Sequence, residues 1–277
     1  MGKTSERVAE IGLGTWMMGG GSKPDHSKDK ECIEAIKYAI ELGMTHIDTA
    51  EMYGSGHAEE LVGEAIKEFP RDELFIASKV WPTNLRYDQV LRSCDSSLRR
   101  LGLKSIDLYM IHWPSNEVPL RESMRALEKL YKDGKIRYIG VSNFSVELLE
   151  EARSCLSVTD VVANQVEYNL LSRSIEVDLL PHCRREGITI TAYSPLAQGK
   201  ISSEVERGTK LGRELVRVAR KHGVTPVQVA LNWVLYRENV ITIPKAVSKK
   251  HLEEDAGASG WRLDEQDYRA LCDASAS

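Results

Sequence analysis

The chain has 277 residues, of which 42% are hydrophobic and 28% are charged, and its formal net charge is -4. This composition is typical of a folded protein with a sizeable core and excludes a disordered one, and the small negative charge offers no general attraction for nucleic acid or an acidic membrane. No apolar run approaches the roughly 20 residues of a membrane span, and the N-terminus lacks the apolar region of a signal peptide, so we expect a cytoplasmic protein.

Short β-branched runs alternate with amphipathic segments along the chain. The eight candidate strands cover residues 9–16, 44–50, 74–81, 106–113, 136–143, 161–168, 188–194 and 240–245. Helical patterns fill the gaps, as in segment 120–134, which has apolar residues at helical spacing and ends at Gly134. Because no Pro- or Ser-rich linker interrupts this alternation, it predicts one (β/α)8 TIM barrel, a single α/β domain over residues 1–277.

The glycines of segment 11–21 invite comparison with the Rossmann fingerprint G-x-G-x-x-G. Counted from Gly12, the second glycine fits at Gly14, but Met17 stands at the third position. No helical pattern follows at once, and the acid that ends the next strand, Asp48, lies too far along the chain for the usual ribose contact. We therefore predict that these glycines are turn residues at the barrel entrance, and that a different motif would bind any nucleotide.

Four polar residues lie at or just after the ends of predicted strands: Asp48, Tyr53, Lys79 and His112. Taken singly, each has an ordinary explanation: a helix cap, a loop aromatic, a solvated charge and a core histidine. However, the C-terminal ends of parallel barrel strands form one rim, where residues remote in sequence meet. Four unrelated explanations at a single rim are harder to accept than one active site.

The four side chains make a coherent acid–base set. A tyrosine hydroxyl has an ordinary pKa of about 10, and a nearby cation such as Lys79 lowers it by stabilising the phenolate. Asp48 would hold the charge of a lysine drawn into a cleft, and a neutral His112 would orient a carbonyl by donating a hydrogen bond. None of these groups is a hydride source or an obvious nucleophile, so the set predicts a bound cofactor.

The sequence resembles the aldo-keto reductase family over nearly its whole length. The resemblance rests on the segments IGLGTW, HIDTAEMYG, ASKVW, IHWP, GKIRYIGVSNF, NQVEYN, AYSPLAQG and IPK, which occur in the family's order. It implies reduction of aldehydes and ketones to alcohols with a nicotinamide cofactor, usually NADPH, lying across the barrel rim without a Rossmann fold. By the same resemblance, Tyr53 is the general acid, Asp48 and Lys79 tune it, and His112 orients the carbonyl.

The resemblance also implies a cofactor site. The expected cofactor contacts are Thr15, Trp16, Asp48, Ser142, Asn143, Gln165, Tyr193, Ser194, Leu196, Lys245, Ser248, His251, Glu254 and Asp255. Of these, Ser142, Asn143 and Gln165 would hold the carboxamide. Tyr193 would stack on the nicotinamide ring, and the loop after it would run beside the pyrophosphate. Without the ordered family motifs, the same residues would be interpreted as helix caps, strand neighbours and packing.

The segment IPKAVSKKHLEEDAGA departs from the family pattern at the site for the 2′-phosphate and adenine. Lys245 is retained, but Ala246 replaces a serine and Asp255 replaces an asparagine. His251 replaces an arginine, which is a planar and permanently charged phosphate partner. Lys249 and Lys250 would either restore part of that charge or simply begin a solvated helix. We therefore expect NADPH to be preferred by a modest margin, with detectable use of NADH.

The expected substrate site joins Tyr53 and His112 to three tryptophans at strand ends, Trp16, Trp81 and Trp113. An aromatic rim suits apolar carbonyl substrates, and we favour the pocket over the barrel core for the first two, while both remain open for Trp113. The segment PSNEVP and the C-terminal tail are short, as in compact, prokaryote-like members of the family. We therefore expect an open site that takes small aldehydes rather than steroids.

Two rival functions are kept open. A non-catalytic relative, such as the channel-associated β subunits with this fold and cofactor, would bind without turnover, although the intact catalytic set argues against it. A metal-dependent barrel hydrolase would use His46, Asp48, His57 and His112, but no H-E-x-x-H occurs and this ligand set is incomplete. The five cysteines lack metal-binding spacing, so we expect free thiols and no metal. We expect a monomer and leave a dimer open.

Overall fold

The strands form one parallel sheet. The computed structural model describes residues 1–275, and within them the sheet has the order β1 to β8, so that strands adjacent in sequence pair with each other. The strands are β1 (Leu13–Gly14), β2 (His46–Asp48), β3 (Phe75–Val80), β4 (Ile106–Ile111), β5 (Ile136–Ser142), β6 (Val161–Glu167), β7 (Thr189–Tyr193) and β8 (Val240–Thr242). Each lies inside a segment that was predicted from the sequence.

The first and last strands close the sheet into a barrel. Ile11 pairs in parallel with Thr242, and the backbone N–H of Gly12 donates to the Thr242 carbonyl at 2.8 Å. The N–H of Gly14 donates to the Pro244 carbonyl at 2.9 Å. Closure leaves no strand edge without a partner in residues 1–275, and the predicted (β/α)8 barrel is confirmed.

Helices follow the strands and cover the outside of the barrel. They are α1 (Asp29–Glu41), α2 (His57–Ala65), α3 (Tyr87–Leu101), α4 (Leu120–Lys132), α5 (Val146–Ser154), α6 (Leu179–Glu186), α7 (Lys200–Glu206), α8 (Lys210–His222), α9 (Pro226–Leu235), α10 (Lys249–Ala256) and α11 (Glu265–Ser275). Gly134, with φ of 72°, follows α4 as the sequence predicted. None of the helices in residues 1–275 combines the length and apolar character that a membrane crossing needs.

The prediction that Gly12 and Gly14 are turn residues is wrong, because Gly14 lies in β1 and Gly12 directly precedes it. A Cβ on Gly12 would come within 2.5 Å of the His46 carbonyl oxygen, and one on Gly14 within 2.8 Å of the Ile243 carbonyl oxygen. Neighbouring strands therefore approach too closely here for any side chain. The turn comes later and includes Gly19, which has φ of 71°.

Apolar side chains fill one end of the barrel. Its buried interior cluster consists of Phe75, Ala77, Leu108, Met110, Val162 and Ala163. Met1 and Val8 pack against this cluster, and the N–H of Gly2 donates to Oγ1 of Thr189, the first residue of β7, at 2.7 Å. The N-terminal segment thus covers the end where the strands begin. Polar residues gather at the opposite rim, where the strands end, and this positions the site.

Candidate active site

The structure brings Asp48, Tyr53, Lys79 and His112 together at the C-terminal rim. Asp48 ends β2, Lys79 is the penultimate residue of β3, and His112 follows β4. Tyr53 begins a short 3-10 turn that leads into α2. None of the four is more than 8% exposed, so the group lies in a largely water-free environment where electrostatic interactions are strong.

Lys79 is the centre of this quartet. Its Nζ lies 2.5 Å from Oδ1 of Asp48, and it donates to the Thr49 carbonyl at 2.9 Å and to the Tyr53 hydroxyl at 3.4 Å. Burial by itself disfavours the ammonium charge, but the negative charges facing it, Asp48 first, outweigh this, and the pKa of Lys79 lies above its ordinary value. Lys79 is therefore a cation held beside the tyrosine hydroxyl.

Tyr53 is protonated in this environment. Burial raises its pKa above the ordinary value, while the charge of Lys79 lowers it and Asp48 raises it further. Lys79 lowers the pKa of Tyr53, as the sequence predicted, but burial raises this pKa by more. A proton donor must hold its proton until the reaction, and the neighbouring ammonium then stabilises the phenolate that donation leaves.

His112 is neutral. Burial, followed by the positive charge of Lys79, lowers its pKa to about 2. Its ring packs edge-on against Tyr53 and Trp81, with centroid distances of 5.6 Å and 5.0 Å. Among the residues that the structure describes, its Nδ1 has no hydrogen-bond partner. A neutral imidazole offers one N–H to a carbonyl oxygen, which is the role that the sequence predicted.

A second polar group adjoins the quartet and consists of Ser142, Asn143, Gln165 and Tyr193. The Ser142 hydroxyl donates to the Gln165 carbonyl at 2.9 Å, and Asn143 Nδ2 donates to Ser142 Oγ at 3.0 Å. The Tyr193 hydroxyl donates to Asn143 Oδ1 at 2.9 Å. Gln165 Nε2 donates to Asp48 Oδ2 at 2.7 Å, and this bond joins the second group to the quartet.

Ser142 and Asn143 do not cap the following helix, so the ordinary alternative for them is wrong. Ser145 is the cap of α5, and its side chain accepts the N–H of Leu148. Asn143 instead has φ of 63°, a backbone conformation that is uncommon outside glycine. Its Nδ2 also donates to the His112 carbonyl at 3.1 Å, so it helps to fix the backbone at His112.

The loop after β7 has left-handed backbone at Ser194, Ala197 and Gln198, with φ of 49°, 49° and 54°. Such conformations persist where the surroundings hold them, and they often occur at ligand sites. Asn169, which is fully buried, donates from Nδ2 to the Ser194 carbonyl at 2.9 Å. Sequence reasoning missed Asn169 as a support for this loop, although it is the last residue of the NQVEYN segment. Leu196 in the same loop is half-buried.

The segment after β8 is far more exposed. The side chains of Lys245, Ser248 and His251 are exposed, and Ser248 caps α10 by accepting the N–H of His251. Asp255, by contrast, is 3% exposed. Burial and then the charge of Glu254 raise the pKa of Asp255 to about 7. The residue that departs from the family's asparagine is thus largely withdrawn from solvent.

Thr15 and Glu51 support the site through the backbone. Thr15 is fully buried, and its Oγ1 donates to the Asp48 carbonyl at 3.0 Å. Its hydroxyl therefore already has a structural partner. Glu51 Oε1 accepts the N–H of Trp81 at 2.6 Å and Asn84 Nδ2 at 2.9 Å, which holds the loop after β3. Sequence reasoning missed Glu51, whose only signal was its place in the HIDTAEMYG segment.

The three tryptophans lie at the rim and not in the barrel core. Trp16 and Trp113 are 43% and 42% exposed, and Trp81 is half-buried. The Trp16 ring meets the Tyr53 ring edge-on, with centroids 5.0 Å apart. Aromatic side chains therefore line the rim around the Tyr53 hydroxyl.

The four residues of the hydrolase alternative do not form one metal-binding group. His46 is buried and both its nitrogens lack a partner among residues 1–275, and burial lowers its pKa to about 4. His57 lies elsewhere, 2.8 Å from both Asp29 and Glu60. In the described part of the chain, no close group of three ligating side chains includes His46 or His112. The five cysteines are free, as predicted.

A closed (β/α)8 barrel with Asp, Tyr, Lys and His at its C-terminal rim defines a class of nicotinamide-dependent carbonyl reductases. The chain belongs to the Aldo/keto reductase family, whose family model matches residues 10–276. Methylglyoxal reductase YeaE of Escherichia coli (strain K12) is 40% identical over 246 residues, which are 89% of this chain and 84% of that protein. Glyoxal reductase of Bacillus subtilis (strain 168) is 40% identical over 260 residues, 93% of this chain and 85% of that protein.

Solved structures give the same result. A thermostable aldo-keto reductase, Tm1743, in complex with the inhibitor epalrestat, has a TM-score of 0.93 at 47% identity and covers 99% of this chain and 97% of its own. An aldo/keto reductase from Klebsiella pneumoniae, in complex with NADP and acetate, has a TM-score of 0.84 at 38% identity, with coverages of 95% and 90%. The resemblance drawn from the sequence is confirmed. The chain is an oxidoreductase that reduces carbonyl compounds with NAD(P)H.

Proposed function

We propose that this chain reduces small activated aldehydes, including 2-oxoaldehydes such as methylglyoxal, with NADPH as its preferred cofactor and Tyr53 as the proton donor. One observation carries the proposal: the buried Lys79 ammonium contacts the Asp48 carboxylate at 2.5 Å and the Tyr53 hydroxyl at 3.4 Å. A hydroxyl with an ordinary pKa near 10 needs such a neighbour to give up its proton near neutrality.

Each member of the quartet has one part in the reaction. His112, which is neutral, donates a hydrogen bond to the substrate's carbonyl oxygen and fixes its direction. Tyr53 donates its proton to that oxygen as negative charge develops there, and Lys79 stabilises the resulting phenolate. Asp48 keeps Lys79 charged, and Gln165 holds the second oxygen of Asp48 at 2.7 Å. NADPH, when bound, supplies the hydride to the carbonyl carbon.

The polar group beside the quartet fits a nicotinamide cofactor. Asn143 and Gln165 present side-chain amides, the groups best suited to pair with a carboxamide, and Ser142 adds a hydroxyl. Tyr193 is only half-buried, and its hydroxyl is fixed by Asn143, so its ring offers a face for stacking. We infer that these four residues hold the nicotinamide end, with Thr15 acting through Asp48.

The other end of the cofactor fits the segment after β8. Lys245 is exposed, and within residues 1–275 its ammonium makes no ion pair, so its charge is free for a phosphate. We infer that Ser248 and His251 join it there. On this interpretation, the pyrophosphate lies beside Ser194 and Leu196, and Glu254 and Asp255 contact the adenine.

The open rim supports small substrates. Trp16 and Trp113 are each more than four-tenths exposed, and only residues 112–119 separate β4 from α4. No long loop therefore narrows the entrance at this point. Relatives named as methylglyoxal and glyoxal reductases suggest the same class of substrate. A single domain, a monomer and a cytoplasmic location stay predictions.

The test is a panel of carbonyl compounds assayed by loss of NADPH absorbance. Methylglyoxal, glyoxal and nitrobenzaldehydes should show the highest kcat/KM, and a steroid ketone the lowest. The same panel with NADH should show weaker but measurable turnover. If protein that demonstrably binds NADPH turns over no aldehyde, the proposal is wrong and the non-catalytic alternative gains support.

A further inference from the structure

A cluster of two histidines and two carboxylates lies outside the active site, where the loop between β1 and α1 meets the start of α2. Its members are His26, Asp29, His57 and Glu60. His57 Nε2 lies 2.8 Å from Asp29 Oδ1, and His57 Nδ1 lies 2.8 Å from Glu60 Oε2. His26 Nδ1 lies 3.1 Å from the other oxygen of Asp29. None of these four residues has a role in the proposed carbonyl reduction.

We propose that His26, Asp29 and His57 bind a Zn²⁺ ion. The ligand atoms that these residues offer lie within 4.8 Å of one another. Around a tetrahedral zinc with bonds of about 2.0–2.2 Å, two ligand atoms are roughly 3.3 Å apart. The separations of 2.8 Å and 3.1 Å between the histidine nitrogens and the two Asp29 oxygens are slightly shorter than this, and the whole group stays within 4.8 Å. Adjustments of the three side chains would therefore bring one ligand atom from each onto a single ion. Two imidazoles and one carboxylate are a ligand set that zinc accepts, and water completes it.

Glu60 supports His57 as a ligand. Glu60 Oε2 lies 2.8 Å from Nδ1 of His57, where this carboxylate can accept the Nδ1 proton. With the Nδ1–H directed to Glu60, the Nε2 lone pair of the neutral imidazole is available to the zinc. A carboxylate behind a ligating imidazole fixes the ring and makes it a better ligand.

The surrounding structure holds these ligands in place. Asp29 is the first residue of α1, and His57 is the first residue of α2. The rings of His26 and His57 are in contact, with centroids 4.0 Å apart. The N–H of Asp25 donates to the Gly19 carbonyl at 2.9 Å, which fixes the loop just before His26. Little further ordering is therefore needed when the ion binds.

A second close group, His222, Asp264 and Asp267, offers a natural control. Arg217 and Lys221 each lie 2.7 Å from Asp267, so cations already neutralise its carboxylate. In the first cluster the two carboxylates pair with the histidines. We therefore expect zinc at His26, Asp29 and His57 and none at the second group.

The proposed site joins the loops that carry Trp16 and Tyr53. These loops already meet through the N–H of Gly54, which donates to the Gly21 carbonyl at 2.6 Å. The Ser55 hydroxyl also donates to the Ser22 carbonyl at 2.8 Å, and a bound ion would strengthen the existing link between His57 and Asp29. We expect zinc to raise the Tm while leaving turnover nearly unchanged, because the quartet contributes no ligand.

Isothermal titration calorimetry on tag-free, full-length protein tests the proposal directly. Zn²⁺ should bind once per chain with micromolar affinity, and Mg²⁺, which prefers oxygen ligands, should show no saturable binding. His26→Ala and Asp29→Asn should each weaken zinc binding by roughly tenfold or more, and Glu60→Gln should do so by a similar factor. His222→Ala should leave it unchanged.

Thermal unfolding gives the second readout. Zinc should raise the Tm of the wild type and of His222→Ala, but not that of His26→Ala. Equal zinc affinity in the wild type and His26→Ala, or a loss confined to His222→Ala, would overturn the assignment. Since His26 is exposed, its truncation should leave the fold and the NADPH-dependent turnover intact, and both can be measured. The zinc result does not depend on the proposed substrate, so the two proposals can fail separately.

Discussion

The proposed catalytic quartet and the proposed phosphate site in the exposed segment around Lys245 are built in opposite ways. In the quartet, Lys79 is fully buried and its ammonium contacts both Asp48 and Tyr53, and Gln165 fixes the other Asp48 oxygen. Lys245 is exposed and makes no ion pair with any residue in the range 1–275. The quartet is therefore a coupled unit, whereas Lys245 acts alone.

This difference follows from the two tasks. Proton transfer requires fixed geometry in a water-excluded environment, because preorganised charges are then strongest. Recognition of an additional phosphate needs only a cation within reach, and the cation can be exchanged at modest cost. The departures from the family pattern accordingly lie in the second region, at Ala246, His251 and Asp255, and leave the quartet intact.

Tyr53→Phe should have the largest effect on activity. The substitution removes only the hydroxyl that donates the proton, so kcat should fall by roughly 10²- to 10⁴-fold, while NADPH binding stays nearly unchanged. Steady-state kinetics together with a fluorescence titration of NADPH separate the two effects. A variant that keeps most of the wild-type kcat would show that Tyr53 is not the proton donor.

Lys79→Met should also abolish most turnover, and it tests whether the quartet is a coupled unit. Because it leaves Asp48 buried and unpaired, it should destabilise the fold by about 3–5 kcal/mol, measured by denaturant unfolding. The double variant Asp48→Asn with Lys79→Met should recover most of that stability but none of the activity. If the single variant is as stable as the wild type, the two residues are not energetically coupled.

Lys245→Ala should act on cofactor choice and leave kcat alone. A hydrogen bond to a charged group contributes about 1.5–3 kcal/mol, so the KM for NADPH should rise roughly tenfold or more. The KM for NADH, which lacks the phosphate, should change far less. Lys104→Ala serves as the control, because this lysine is also exposed but lies just before β4, at the opposite end of the barrel. Equal increases for both cofactors would refute the phosphate site.

Asp255→Asn should change stability with a defined dependence on pH. The folded-state pKa of Asp255 is about 7, against an ordinary value of 3.8. Folded protein therefore loses stability as pH rises through this window, and the full cost is present above the folded-state pKa. The variant should gain up to about 4 kcal/mol at alkaline pH and much less near the ordinary aspartate pKa.

The stability of this variant can be followed as Tm across the pH range. Glu254→Gln should give a smaller gain of the same sign, since the Glu254 charge is the second cause of the raised pKa. A Tm difference that does not change with pH would show that Asp255 is not buried as a titrating acid. Asp255 would then be accessible to solvent, like Lys245 in the same segment and unlike the buried quartet.

The strands, the helices and the quartet could be predicted from the sequence because their signals are local. Hydrophobic periodicity over a few residues predicts a strand or a helix, and all eight strands were found in this way. In a parallel barrel every strand end falls on one rim, so Asp48, Lys79 and His112 could be placed together by topology alone. The family motifs then gave the catalytic interpretation.

Tertiary structure alone decided how these parts support each other. The bond from Gln165 to Asp48 joins residues 117 positions apart, and the close strand contact at Gly12 explains a glycine that was interpreted as a turn. Asn169 and Glu51 were missed because a polar residue's partner depends on which loops meet. The pKa of Tyr53 and of Asp255 was likewise decided by burial. Burial is a property of the packed barrel, since it depends on the neighbours that closure brings around a side chain and not on the residues beside it in the chain.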